Sequence, residues 1–163
     1  MLTDKQDYDE IAQMSMLDIE MDYIIAYILD PTDDKREALN ILSENLKMPI
    51  IVMLDGRFNT FEKNKTKMNM DNIAENVDVY DWVYYIKHAK YMITDSHHGL
   101  AMGIIYNLPC ICYANPGRGQ SRFTSLLNVL GMSDRMIYSA KEIIEKELLS
   151  KSINYGQVNF NLR

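Results

Sequence analysis

The chain alternates short apolar runs with amphipathic stretches, a rhythm that predicts an α/β fold. Met21 to Leu29, Pro49 to Leu54, Tyr91 to Thr94 and Pro109 to Ala114 are short and almost continuously apolar. Each reads as a strand buried on both faces. Arg135 to Tyr138 reads as a further short strand, and Val77 to Tyr80 as an edge strand. Helical patterns separate them. Thr3 to Met14 is a short helix capped by Thr3, with Tyr8, Ile11 and Ala12 at helical spacing. A second helix opens at Asp33-Asp34 and places Ala38, Ile41, Leu42 and Leu46 on one face. A third, Asp81 to Lys90, is capped by Asp81 and carries Trp82, Tyr85, Ile86 and Ala89 on one face, which leaves His88 at the surface. Leu100 to Tyr106, Phe123 to Leu130 and Ala140 to Leu149 complete the set, with Gly131 closing Phe123 to Leu130 as its C′ residue.

Two segments lack such a pattern. Asp55 to Asn76 mixes lysines, asparagines and two phenylalanines without a period, and reads as a long irregular stretch. Ser150 to Arg163 reads as a polar tail. Strand, helix, strand in this order requires right-handed parallel crossovers. The expected architecture is a doubly wound, mostly parallel, Rossmann-like sheet of five to six strands. It forms a single domain over residues 1–150, with 151–163 as the tail.

Length and composition narrow the class. The 163 residues suffice for one domain with its own core, and 47% hydrophobic against 25% charged residues is a globular balance. The net charge of −6 speaks against a nucleic-acid partner, which would call for a basic face. The first ten residues are mostly polar, and no apolar run approaches the ~20 residues of a membrane span. A cytoplasmic protein is expected. Cys110 and Cys112 stand two apart on one strand, where a disulfide is geometrically poor and zinc spacing is absent. They are expected to be free, buried thiols in a reducing compartment.

Candidate chemistry concentrates at two strand-to-helix turns. The first is Asp95-Ser96-His97-His98-Gly99, which holds two of the three histidines. Asp95 or Ser96 suits the N-cap of the following helix. The second is Gly117-Arg118-Gly119-Gln120-Ser121-Arg122. Both follow consecutive strands, and strands adjacent in sequence tend to be adjacent in space, so the turns are expected to meet over one cleft. A histidine beside two arginines suits an anionic substrate that also needs a proton donor or acceptor. Arg122 stands in the first turn of a helix, where the dipole disfavours a cation, so it calls for a carboxylate or a bound anion as partner. Arg118, flanked by glycines, either approaches a ligand or lies solvated in its loop. Asp30-Pro31-Thr32-Asp33-Asp34 is an acid-rich helix start, expected to cap. Neither G-x-G-x-x-G nor G-x-x-x-x-G-K-[ST] occurs, nor does G-x-S-x-G, and no histidine clusters with acids at metal-ligand spacing. No cofactor and no metal are expected.

The run from Asp81 to Arg135 resembles the C-terminal domain of the polysaccharide pyruvyl transferase family. The resemblance rests on Asp81-Trp82, Ala89-Lys90-Tyr91, Thr94-Asp95-Ser96-x-His98-Gly99 and Asn107-x-Pro109. It continues through Arg118-Gly119-x-Ser121-Arg122-Phe123-x-Ser125-Leu126-Leu127 and Gly131-x-x-Asp134-Arg135. The Tyr27-Ile28-Leu29-Asp30-Pro31 strand end also matches, whereas His97 departs from the family pattern. The resemblance implies the C-terminal half of a type B glycosyltransferase-like fold, with an N-terminal domain missing from this sequence. It implies transfer of a pyruvyl group from phosphoenolpyruvate to a sugar acceptor of a surface polysaccharide, such as an exopolysaccharide or lipopolysaccharide. His98 takes the catalytic position, and Ser96, His97, Gly99, Arg118, Gly119 and Arg122 the substrate-binding ones. Two alternatives are a glycosyltransferase domain that binds a nucleotide sugar and a non-catalytic domain that docks to a partner.

Overall fold

Five of the apolar runs become strands of one parallel sheet: β1 (Ile24–Ile28), β2 (Ile50–Leu54), β3 (Tyr91–Thr94), β4 (Cys110–Tyr113) and β5 (Met136–Ile137), in the order β2-β1-β3-β4-β5. The structure, a computed structural model, describes residues 4–163, so the expected cap Thr3 lies outside the described residues. The helices are α1 (Lys5–Gln13), α2 (Asp33–Leu46), α3 (Phe58–Met68), α4 (Val79–His88), α5 (His97–Ile105), α6 (Gln120–Val129), α7 (Glu142–Glu145) and α8 (Tyr155–Leu162). The Rossmann-like α/β fold is as read from the sequence.

Side chains along a strand alternate between faces. Ile24, Ala26 and Ile28 therefore join Ala38, Leu39 and Leu42 of α2, while Tyr23 and Ile25 join Val83 and Ile86 of α4, Leu100 of α5 and Phe123 of α6. Cys110 and Cys112 fall on that second face, free and buried, and burial pushes the Cys110 thiol up to about 11. The chain lays β2 on one side of β1 and then crosses to lay β3 on the other. The order thus reverses between β1 and β3, and the crevice beyond their carboxyl ends is where open α/β sheets bind ligands.

Four stretches differ from the sequence-based reading. The irregular Asp55–Asn76 segment contains α3, which buries only Asn64 and Met68 and so shows no apolar stripe. Asn64 anchors it by donating to the carbonyls of Asp55 at 2.9 Å and Leu29 at 3.4 Å. Val77–Tyr80 is not an edge strand: Asp78, not Asp81, is the N-cap of α4, accepting from the Asp81 N–H. The edge of β2 is met instead by Ile73, in a single parallel bridge to Val52. The helix expected over Ala140–Leu149 shrinks to the single turn of α7. Within the segment read as a polar tail, α8 buries Val158 and packs Tyr155 and Leu162 on the core, joined by Ile153 just before the helix.

Candidate functional site

The loop after β3 enters α5 through one local device. Ser96 is the N-cap, and its Oγ accepts from the Gly99 N–H at 3.2 Å. The Ser96 N–H itself donates to Thr94 Oγ1 at 3.0 Å. α5 therefore begins at His97, earlier than the Leu100 start read from hydrophobic spacing, and both histidines lie in its first turn. The amides of a first helical turn have no intrahelical acceptor. Gly99 is buried where α5 crosses the sheet: a Cβ there would stand 2.6 Å from Thr94 Oγ1 and 2.9 Å from Tyr27 Cδ1. Its role is close approach of the helix, and its amide is engaged by the cap.

Asp95, the other candidate cap, does something else. It is fully buried and ties three loops together. Its Oδ1 accepts from the Leu29 N–H at 2.6 Å, and its Oδ2 from the Asp30 N–H at 3.1 Å. The same Oδ2 accepts from Asn115 Nδ2 at 3.1 Å and from Lys35 Nζ at 2.7 Å. The β1, β3 and β4 loops thus converge on one carboxylate at the point where the strand order reverses.

The β4 turn is a short 3-10 segment, Pro116–Arg118, followed by Gly119. Gly119 has φ +84, a left-handed conformation that favours glycine, and it is the N-cap of α6 without any side-chain cap bond. Arg122 folds back over it: a Cβ on Gly119 would lie 3.1 Å from Arg122 Nε and Nη2. Arg122 is exposed and, among the described residues, has no carboxylate within ion-pair distance. The His97 ring bridges to this turn, edge to face, 5.9 Å from the Phe123 ring and 6.1 Å from that of His98. Burial, then electrostatic repulsion from His98 and Arg122, hold the His97 pKa below its ordinary value.

Arg118 is engaged differently. Its Nε and Nη2 both donate to the Asp30 carboxylate, at 3.0 and 3.2 Å, and Nη2 lies 3.7 Å from Asp55 Oδ2. Arg118 holds the Asp30 carboxyl below the usual range, with Asn115 assisting at 2.7 Å. Asp30 is therefore not a helix cap. Thr32 caps α2, accepting from the Lys35 N–H.

His98, exposed, lines an open groove of about 490 Å³ together with Tyr27, Asp55, Gly56, Asp78 and Trp82. The groove lies beyond the carboxyl ends of β1 and β2. Burial, then the negative charges of Asp55 and Asp95, push the Tyr27 pKa up. Among the described residues, no group of three His, Cys, Asp or Glu side chains is placed to hold a metal, and no helix is long and apolar enough to cross a membrane.

His97 and Arg122 come together, His98 borders the groove, and Arg118 reaches the same groove through Asp55. Ser96, Gly99 and Gly119 shape the turns that carry them. Sequence reasoning did not identify Asp55, Asp78, Tyr27, Asn115 or Lys35 as site residues. Asp55 and Asn115 stand directly after strands, the one signal that marks them.

The family model for polysaccharide pyruvyl transferase matches residues 4–117. No curated protein matches the chain. Among solved structures, the Listeria monocytogenes protein assigned as a UDP-N-acetylglucosamine 2-epimerase is similar at TM-score 0.58 and 11% identity, over 94% of this chain and 45% of that one. The Methanocaldococcus jannaschii UDP-GlcNAc 2-epimerase in complex with UDP-GlcNAc and UDP is similar at TM-score 0.57 and 18% identity, over 92% of this chain and 46% of that one. The C-terminal CMP-Kdo binding domain of WaaA from Acinetobacter baumannii is similar at TM-score 0.53 and 11% identity, over 98% of this chain and 97% of the domain. At these identities the likeness is one of fold. The chain spans less than half the length of the two epimerases.

Proposed function

The chain belongs to the polysaccharide pyruvyl transferase family, and from that premise we propose that it is the donor-binding half of an enzyme transferring pyruvyl from phosphoenolpyruvate to a sugar. The acceptor is a surface polysaccharide, the product a ketal, and a second domain completes the enzyme.

Arg122 carries this reading. It is a cation in the first turn of a helix whose amides no side chain caps, it lacks a carboxylate partner among the described residues, and it neighbours His97. The first turns of α5 and α6 add N–H donors and a partial positive charge. A small polyanion with a phosphate and a carboxylate satisfies all of these groups at once. His98 serves as general acid and gives a proton to the methylene carbon of the donor. One sugar hydroxyl adds to the neighbouring carbon, phosphate departs with its bridging oxygen, and a second hydroxyl closes the ketal. Of the two hydroxyl protons released, one restores His98 and the other leaves on phosphate.

Thermal unfolding of the full chain tests the donor. At ten times Kd, phosphoenolpyruvate stabilises by about 1.4 kcal/mol, which raises the midpoint by about 3–6 °C at this size. Nucleotide sugars leave it unchanged. A shift with a nucleotide sugar and none with phosphoenolpyruvate overturns the reading.

A further inference from the structure

The groove that His98 lines has a chemistry opposite to that around Arg122. Its acidic side chains are Asp55 and Asp78, its one basic lining residue is His98, and neither lysine nor arginine lines it. Asp78 is held in place because its Oδ1 caps α4 at the Asp81 N–H, 2.9 Å away. Asp55 is steadied by the Arg118 guanidinium at 3.7 Å. Tyr27 and Trp82 pack edge to face, ring centroids 5.7 Å apart at 76°, and both line the groove. The Trp82 indole N–H is buried without a hydrogen-bond partner among the described residues. Met53, Leu54 and Val79 complete an apolar lining.

A dianion is unsuited to this groove, since it would face two carboxylates. A neutral ring bearing hydroxyls is suited to it. Its O–H groups donate to carboxylates in charge-assisted bonds, and its C–H face lies on aromatic carbon. The volume of about 490 Å³ falls in the ~300–1,000 Å³ range of small-ligand clefts. We infer that this groove is the subsite for the acceptor sugar ring, a neutral pyranose held by Asp55 and Asp78 against Tyr27 and Trp82. His98 lines this groove, and its ring lies 6.1 Å from that of His97, which neighbours Arg122 and the donor. The assignment of the ring as an acceptor rests on the pyruvyl-transfer reading; the preference for a neutral polyol over an anion rests on the lining alone.

Trp82 is the chain's single tryptophan, so its emission reports groove occupancy. The full chain is titrated with methyl gluco-, galacto- and mannopyranosides, with uridine and with phosphoenolpyruvate. The expected result is a saturable change in Trp82 emission with at least one hexoside in the millimolar range, and none with the other two ligands. Asp55→Asn and Asp78→Asn, the second of which keeps a capping side chain, each weaken hexoside binding about tenfold or more, as loss of a hydrogen bond to a charged group does. Silence toward every hexoside, a response to uridine or phosphoenolpyruvate instead, or unchanged hexoside affinity in both variants overturns the inference. If the hexosides bind but phosphoenolpyruvate gives no thermal shift, the subsite stands and pyruvyl transfer falls. If phosphoenolpyruvate stabilises and no hexoside binds, the reverse holds.

Discussion

The ammonium of Lys35 lies 2.7 Å from the Oδ2 of Asp95, and both side chains are almost completely buried. The lysine also donates to the Asp30 carbonyl at 2.8 Å and faces the Tyr113 ring at 5.3 Å, while the carboxylate accepts from two backbone amides and Asn115. Every strong partner of each charge is therefore present. Removing one charge from such a pair leaves the other uncompensated in a low dielectric, at a cost of about 3–5 kcal/mol. Asp95→Ala is expected to lower stability by that amount in urea unfolding, and Lys35→Met/Asp95→Leu to recover part of it. A single variant with the wild-type midpoint would rule out the clasp.

The parallel sheet was legible because each strand is buried on both faces, so Ile24 to Ile28 and Tyr91 to Thr94 stand out as apolar blocks. Convergence of the two turns was legible from β3 and β4 being adjacent in sequence. What was not legible is pairing across sequence distance. Asp30 reads locally as an acidic helix start, and only the fold brings Arg118 to it from 88 positions away. Helix α3 was hidden because its buried face is a methionine and an asparagine. The opening of α4 was misread because Asp78 and Asp81 are equally good caps by composition, and the earlier one wins by reaching the Asp81 amide.

Gly99 offers a second test of how α5 meets the sheet. In an exposed helix, Gly→Ala gains up to ~1 kcal/mol. At position 99 the added carbon would stand 2.6 Å from Thr94 Oγ1 and 2.9 Å from Tyr27 Cδ1, groups that are held by packing and by the Thr94 bond to the Tyr27 carbonyl. Gly99→Ala is expected to destabilise by about 1–3 kcal/mol, the usual range for overpacking. Chemical denaturation measures this directly, and a stabilised variant would mean that the helix is free to shift.

Asp30→Asn separates the structural and ligand roles of Arg118. The pair is partly exposed, so its loss costs about 0.2–1 kcal/mol and less at high salt. Arg118 lowers the Asp30 pKa in the folded state. A depressed carboxyl pKa contributes stability above its unfolded value of about 4, lost as pH falls through the folded pKa. The difference in Tm between wild type and Asp30→Asn is therefore expected to be present at neutral pH and to vanish in acid. A difference that grows on acidification contradicts the pairing. Freed from Asp30, Arg118 is also expected to strengthen binding of phosphoenolpyruvate.

His97 sets the pH dependence at the other end of the range. Its folded pKa lies below the ordinary 6.5, first through burial and then through His98 and Arg122. In the window between the folded pKa and 6.5 the unfolded chain binds the proton and the folded chain does not, so stability falls as the pH is lowered through that window. A polyanion beside His97 and Arg122 reverses the balance, because it favours the imidazolium. Phosphoenolpyruvate binding is then accompanied by proton uptake and tightens as pH falls from 8 toward 6. Calorimetric titration in buffers of different ionisation enthalpy counts that proton, and His97→Asn is expected to reduce the uptake. Binding that weakens on acidification, or uptake unchanged in the variant, would place the anion away from His97.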